Sequence, residues 1–383
     1  MLTLPAEEKD RLLRRGFSRR HFARIVTLLS AGASLPFYNE AALAQLSMIP
    51  GGVPPDAVKI NANENPLGPC QEAAEAMCGV IHEGGRYRYE LAFEMQKMLA
   101  EQEGLKPEYV QAYAGSSTPL HQATLAFTSP QKPLVVADPG YEAAARAADF
   151  IGAKTIQVPL TETYAHDVKA MAAASPNTGL IYLCNPNNPT GTLTPRADID
   201  WLVANKPAGS VLMIDEAYIQ IAGAPVAADL AAADKDVVIL RTFSKIYGMA
   251  GLRAGAALAR PDLLEKIAPY SAGALPATAM VGAMASLKVT DTLVPQRRKF
   301  IADVREDVFE FLDKHHFHYI PSLSNKFMVD CKRPGREVYQ AMAAQHVYIG
   351  RVWPVWPTYV RVSIGTREEM ARFKTVFLNV MTS

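Results

Sequence analysis

From Tyr109 onward, short apolar runs alternate with helix-patterned stretches. Val110–Tyr113, Leu134–Ala137, Thr155–Val158, Leu180–Cys184, Val211–Ile214 and Val237–Leu240 are the runs. The last three are apolar almost throughout, as in strands whose sheet is covered on both faces. Strands separated by helical patterns predict βαβ units, hence an α/β fold with a mostly parallel central sheet flanked by helices. Upstream lie a polar Pro/Gly-punctuated loop, Asn61 to Pro69, a helix over Gln71 to Ile81, a second loop from Gly84 to Tyr89, and a helix from Leu91 to Glu103. After Pro276 the pattern changes. A long amphipathic helix from Leu293 to Lys314 precedes a strand, Lys326 to Asp330, a helix, Arg336 to Gln345, and a strand, Tyr359 to Ile364. A closing helix starts at Thr366, with Glu369 three residues on completing a capping box. This predicts residues 85–276 as a large domain, 277–383 as a smaller α+β domain, and 45–84 as an N-terminal segment joining the small one.

A chain of 383 residues with 49% hydrophobic and 20% charged positions is globular. Its formal charge of +1 provides no basic field, so nucleic acid is not an expected partner. The four cysteines, Cys70, Cys78, Cys184 and Cys331, show neither metal nor redox spacing and read as core residues. His315, His316 and His318 sit at a predicted helix end without a carboxylate or thiolate around them, so no metal site is expected.

Residues 1–44 change the picture at the N-terminus. Seven Lys/Arg stand there against four Asp/Glu. Ser18-Arg19-Arg20-His21-Phe22 resembles a twin-arginine export signal, a mildly apolar stretch follows from Ile25 to Phe37, and Ala42-Leu43-Ala44 offers small residues for cleavage before Gln45. The stretch is too short and too rich in Ala, Ser and Gly for a permanent span. The expectation is a leader cleaved after Ala44 and a periplasmic protein without stable membrane insertion; a cytoplasmic chain with a basic surface helix is the alternative.

In open parallel sheets, ligands bind beyond the carboxyl ends of the strands, and in this chain those ends carry chemistry. Val211–Ile214 runs into Asp215-Glu216-Ala217-Tyr218, and Leu180–Cys184 into Asn185-Pro186-Asn187-Asn188. Leu134–Ala137 leads to Asp138-Pro139-Gly140-Tyr141, and Val110–Tyr113 to Gly115-Ser116-Ser117-Thr118, which opens a helix with free N–H groups. After Val237–Leu240 stand Ser244, Lys245 and Arg253, an amine, a hydroxyl and a guanidinium that could share one anionic ligand. A lysine able to attack a carbonyl beside phosphate-binding groups describes a Schiff-base site for pyridoxal phosphate. Singly, Asp215 could be a cap, Asn188 a turn residue and Tyr141 a packing residue.

The motifs NANENPLGP, RY, GSST, DPGY, NPNNPTG, IDEAY, RTFSKIYGMAGLRAG and RVSIGT, in that order, resemble those of class I/II aminotransferases. These are pyridoxal-phosphate-dependent enzymes of fold type I, and within them the chain resembles the histidinol-phosphate aminotransferase group. The resemblance implies that Lys245 holds pyridoxal 5'-phosphate, that Asp215 pairs with its ring nitrogen, that Asn188 and Tyr218 bond the ring hydroxyl, and that Tyr141 stacks on the ring. Ser116, Ser117, Thr118, Ser244 and Arg253 would bind the phosphate. Tyr87 would reach the phosphate of a neighbouring subunit, implying a homodimer. Arg361 would take the substrate carboxylate or the phosphate of histidinol phosphate, with Arg351 near it, and Asn63 would belong to the substrate side. The implied activity moves an amino group from an L-amino acid or histidinol phosphate to a 2-oxo acid by ping-pong kinetics. A decarboxylase of the threonine-phosphate decarboxylase type would use the same lysine and acid, and a non-catalytic exported binding protein would keep the fold alone.

Two departures from the family pattern stand out, and the second bears on the substrate. Ser117-Thr118 replaces an acidic pair common after the phosphate-loop glycine and serine. Val352 to Val360 is short and aromatic, and Trp353 and Trp356 are expected either to wall the carboxylate site, favouring an aromatic or large apolar amino acid, or simply to pack the small domain.

Overall fold

The computed structural model describes residues 6–18, 20, 40–44, 53–270 and 274–382. Among the described residues the chain forms twelve strands, β1 to β12 in chain order. A central seven-stranded sheet holds β2 (Val110–Tyr113), β3 (Leu134–Asp138), β4 (Thr155–Pro159), β5 (Leu180–Cys184), β6 (Val211–Asp215), β7 (Val237–Thr242) and β8 (Gly255–Leu258). Their order is β2-β8-β7-β6-β5-β3-β4. The pairs from β4 to β7 are parallel, while β8 runs antiparallel to both β7 and β2. β5, β6 and β7 are buried at every residue, and this is why their sequences show no alternation.

The remaining strands form two small sheets. β1 (Val58–Ile60) pairs in parallel with β11 (Val347–Ile349), while β9 (Tyr319–Ile320), β10 (Lys326–Asp330) and β12 (Tyr359–Ser363) form an antiparallel sheet with β10 at the centre. The helix Ala277–Lys288 packs on Gln71–Val80 and Glu90–Glu103, fastening the first helices to the far part of the chain. The capping box at Thr366 forms in full: the Glu369 N–H donates to Thr366 Oγ1 at 3.1 Å and the Thr366 N–H to Glu369 Oε2 at 2.7 Å.

One cysteine differs from the sequence expectation. Cys78 is exposed, not core, because Gln71–Val80 buries only Ala73, Met77 and Val80. His315 packs between Phe311 and Phe317, and His318 lies edge-on to Tyr359. Among the described residues no group of three or more His, Cys, Asp or Glu is arranged to hold a metal ion, and no helix is long and apolar enough to cross a membrane.

Part of the described stretch of residues 1–44 packs against the rest of the chain. Phe17 and Leu43 are buried in the core, each burial stabilising by about 1.5–3 kcal/mol. Arg15 donates to the carbonyls of Leu125, Ala126 and Thr128 and so caps the C-terminal end of the helix Ser117–Phe127, and it also donates to Tyr270 Oη at 2.8 Å. Arg19, Phe22 and the apolar stretch of the export pattern lie outside the described residues.

Candidate active site

The carboxyl ends of β5, β6 and β7 and the turn after β2 surround one cavity of about 210 Å³. Asp215, the last residue of β6, faces it beside Cys184, the last residue of β5 and its register partner. The Asp215 carboxylate accepts the Tyr182 hydroxyl at 2.8 Å and the Ala217 N–H at 3.1 Å. No lysine or arginine among the described residues ion-pairs with it, and burial pushes its pKa above the usual range. A buried carboxylate of this kind calls for a cationic partner from a ligand.

Lys245 stands three residues past β7, only 7% exposed, with its Nζ donating to the Ala62 carbonyl at 3.3 Å and 5.7 Å from the centre of the Tyr218 ring. Burial lowers its pKa to about 8, with Glu40 pulling it back up and Arg361 adding to the fall. A lysine that is half deprotonated at about pH 8 can act as a nucleophile.

The other end of the cavity is built for an anion. The helix Ser117–Phe127 has no side chain capping its start, and Ser116, Ser117, Ser244 and Arg253 line the cavity. Arg253 Nη1 donates to Ser244 Oγ at 3.3 Å and to the Ala250 carbonyl at 3.0 Å. Arg253 has φ 64°, a left-handed conformation that costs a non-glycine residue about 1 kcal/mol and that clusters at functional sites. Gly115, at φ 82°, makes room for it: a Cβ there would lie 2.2 Å from Arg253 Nη2. The Thr118 side chain is not part of this cradle. Its hydroxyl turns back to the Ala114 carbonyl, at 3.3 Å, and the side chain does not line the cavity.

Tyr141, Asn188 and Tyr218 line the cavity between the two ends. Asn63, at φ 53°, reaches over from the loop after β1, its Nδ2 donating to Tyr218 Oη at 3.1 Å and to Asn188 Oδ1 at 3.5 Å. Arg361, on β12, is fully buried: Nη1 donates to Asn188 Oδ1 at 2.9 Å, and Nη2 to the Asn61 carbonyl and to Glu40 Oε1, both at 2.6 Å. Arg351 is also buried, paired with Glu142 at 2.8 Å and Glu40 at 3.2 Å, and so is no solvated surface residue.

The two tryptophans do not wall the cavity. Trp353 packs with Ile320 and Met328 and donates to the Gly140 carbonyl at 2.9 Å, its ring lying 4.8 Å from the Arg351 guanidinium and 5.5 Å from that of Arg361. Trp356 packs against Tyr164 and Tyr359. Both are packing residues with respect to this cavity, and Trp353 also lies against the guanidinium groups of both arginines. Tyr87 is 73% exposed and stacks on Tyr89, away from this chain's cavity.

Sequence reasoning missed Glu40 and Cys184, both of which line the cavity. Glu40 is the one acid between His21 and Ala44, a signal of sorts within a basic, apolar stretch. Cys184 could have been placed from its position at the end of β5.

A cavity with an anion cradle, an amine of lowered pKa and a buried unpaired carboxylate suits a ligand that carries phosphate, a carbonyl and a basic ring nitrogen. Comparison with known proteins points the same way. The family model for aminotransferase class I and II matches residues 55–377. A histidinol-phosphate aminotransferase of Moorella thermoacetica is 32% identical over 362 residues, covering 89% of this chain and 92% of that protein. An aromatic amino acid aminotransferase of Nocardia farcinica is 32% identical over 343 residues, covering 86% and 94%. In fold, the chain matches the crystal structure of a histidinol-phosphate aminotransferase from Sinorhizobium meliloti in complex with pyridoxal-5'-phosphate, with a TM-score of 0.79 and 24% identity over 91% of this chain and 96% of that one. The chain thus belongs to the class I and II aminotransferases, of fold type I, and is a pyridoxal-phosphate-dependent aminotransferase.

Proposed function

We propose that this chain transfers the amino group of an L-amino acid to a 2-oxo acid, with Lys245 as the cofactor lysine and Arg361 as the anchor for the substrate carboxylate. The observation that carries the reading is Lys245 facing the buried Asp215 carboxylate across a cavity whose far end is an anion cradle. The residues present fit pyridoxal phosphate: Ser116, Ser117, Ser244 and Arg253 would hold its phosphate, Tyr141 its ring face, Asn188 and Tyr218 its hydroxyl, and Asp215 its ring nitrogen. When bound, it supplies an electron sink for the charge that develops as the donor loses its Cα proton.

The side chains divide the remaining work. Asp215 stays ionised against the ring nitrogen and keeps the proton there. Lys245, once the donor has taken its place, has an amine free to receive the Cα proton and return it one position further along. The helix start and Arg253 fix the phosphate end, so the reacting carbon stays within reach of Lys245. Arg361, held by Asn188 and the Asn61 carbonyl, would take the substrate carboxylate in place of Glu40 and so orient the Cα–H bond. Donor and acceptor use the site in turn, which predicts ping-pong kinetics.

Two further readings accompany this one. Ile81, Tyr87, Tyr89 and Phe93 are large apolar or aromatic side chains exposed within one short segment, which supports a homodimer whose second copy covers them. The Ser18-Arg19-Arg20 pattern supports export to the periplasm with cleavage after Ala44. Replacing both arginines by lysine should then leave full-length protein in the cytoplasm, whereas unaltered protein found only there at full length rejects export. The activity itself is tested by a donor screen of the purified protein scored for keto product. Amine and carbon dioxide in place of a keto acid would favour the decarboxylase reading.

A further inference from the structure

Glu40 belongs to a short helix, Glu40–Ala44, far in sequence from the rest of the site. Its Oε1 accepts Arg361 Nη2 at 2.6 Å and Arg351 Nη1 at 3.2 Å, and its Oε2 accepts Asn188 Nδ2 at 3.3 Å. Burial alone would raise its pKa, but Arg361, then Arg351 and Lys245, reverse this and hold it at about 2. Glu40 is therefore an anion at every working pH.

The two arginines differ in what else they have. Arg351 also has Glu142, to which it donates two hydrogen bonds. Arg361 has Glu40 as its one carboxylate among the described residues; its other acceptors are an amide oxygen and a backbone carbonyl. Glu40 lines the cavity and Arg361 does not, so the carboxylate stands between the guanidinium and the space beside Lys245. Leu43, three residues on and fully buried, anchors the segment.

We infer that Glu40 is a specificity-determining residue that fills the carboxylate subsite on Arg361, so that any substrate carboxylate must displace it. The inference rests on the reading of Arg361 as the substrate's anchor. A guanidinium fork in a buried site takes one carboxylate with good geometry, and a second anion beside the first meets like-charge repulsion at low dielectric. The full chain consequently discriminates against carboxylate ligands until segment 40–44 withdraws. Cleavage after Ala44, as proposed above, would remove Glu40 and open the subsite in the same event.

The test uses full-length, cofactor-loaded protein and 3-phenylpropionate, a carboxylate without an amine, with 3-phenylpropanol as the uncharged control, both measured by calorimetric titration. Glu40→Gln, close in shape, and Glu40→Ala should each bind 3-phenylpropionate at least tenfold more tightly than the unaltered chain, about 1.4 kcal/mol, with the alcohol unchanged. Equal or weaker carboxylate binding in both variants overturns the inference, and weaker binding would mean that Glu40 helps to recognise the substrate. Adding Arg361→Gln to Glu40→Gln should abolish the gain. A gain that survives this change shows instead that Arg361 is not the carboxylate anchor, a failure of the underlying reading that is distinguishable from failure of the Glu40 contact.

Discussion

Replacing Asp215 by asparagine removes one charge and little else. Asn keeps an oxygen that can accept the Tyr182 hydroxyl, now 2.8 Å from Asp215 Oδ2, or the Ala217 N–H, at 3.1 Å from Oδ1. Folding should survive, because the carboxylate has no protein cation to lose and its burial already raises its pKa. With a protonated ring nitrogen beside it, however, Asp215 becomes half of a buried ion pair. Removing one partner of such a pair costs about 3–5 kcal/mol. If that cost falls on the transition state, where the ring carries the most negative charge, the rate drops by roughly two to four orders of magnitude. The assay is single-turnover conversion of the cofactor by an L-amino acid donor, followed by absorbance, with cofactor content and thermal midpoint measured on the same samples. A fall of less than fivefold at full cofactor content would refute the reasoning and leave Asp215 as a cap for the turn at Ala217.

Two other outcomes follow from the electrostatics. Because only the neutral amine attacks a carbonyl, reloading of the apoprotein with pyridoxal phosphate should speed up with pH through a midpoint near 8, the lowered pKa of Lys245; a rate still climbing at about pH 10, as an unperturbed lysine would give, contradicts it. Arg241 is buried between Glu103, at 2.7 Å, and Glu216, at 2.5 Å, so Arg241→Met should strand two carboxylates and cost about 3–5 kcal/mol in denaturant unfolding, whereas a loss below about 1 kcal/mol would mean that the pairs contribute nothing net.

Much of the fold was legible because burial writes itself plainly into a parallel sheet. β5 and β6 match their apolar runs to within a residue, since strands covered on both faces carry no polar interruptions. β8 escaped notice: Gly255–Leu258 is short, rich in small residues and follows directly on the glycine-punctuated loop around Arg253, so it lacks the branched side chains that mark a strand. β1, β9 and β11 are two or three residues long, too short for any periodicity to declare itself. In the site, the groups at strand ends were legible from order alone, whereas side-chain direction was not. Thr118 stands in the phosphate motif yet folds its hydroxyl back onto Ala114, and Trp353 stands beside two site arginines yet faces the packing of Ile320 and Met328. Glu40 was hidden for a different reason. Its partners Arg361 and Asn188 lie 321 and 148 residues away, and a stretch that reads as a cleavable leader gives no cause to look for contacts of that kind.

The central claim is that Lys245 carries the cofactor. Lys326 offers a real rival, being fully buried, 3.1 Å from the Tyr218 ring centre and, through burial, held well below the ordinary lysine pKa. Borohydride reduction of the loaded protein fixes lysine-bound pyridoxal phosphate irreversibly, and peptide mass spectrometry then locates it. The account predicts the adduct on the peptide containing Lys245 and its loss in Lys245→Ala; an adduct on Lys326, or one that persists in Lys245→Ala, would contradict it.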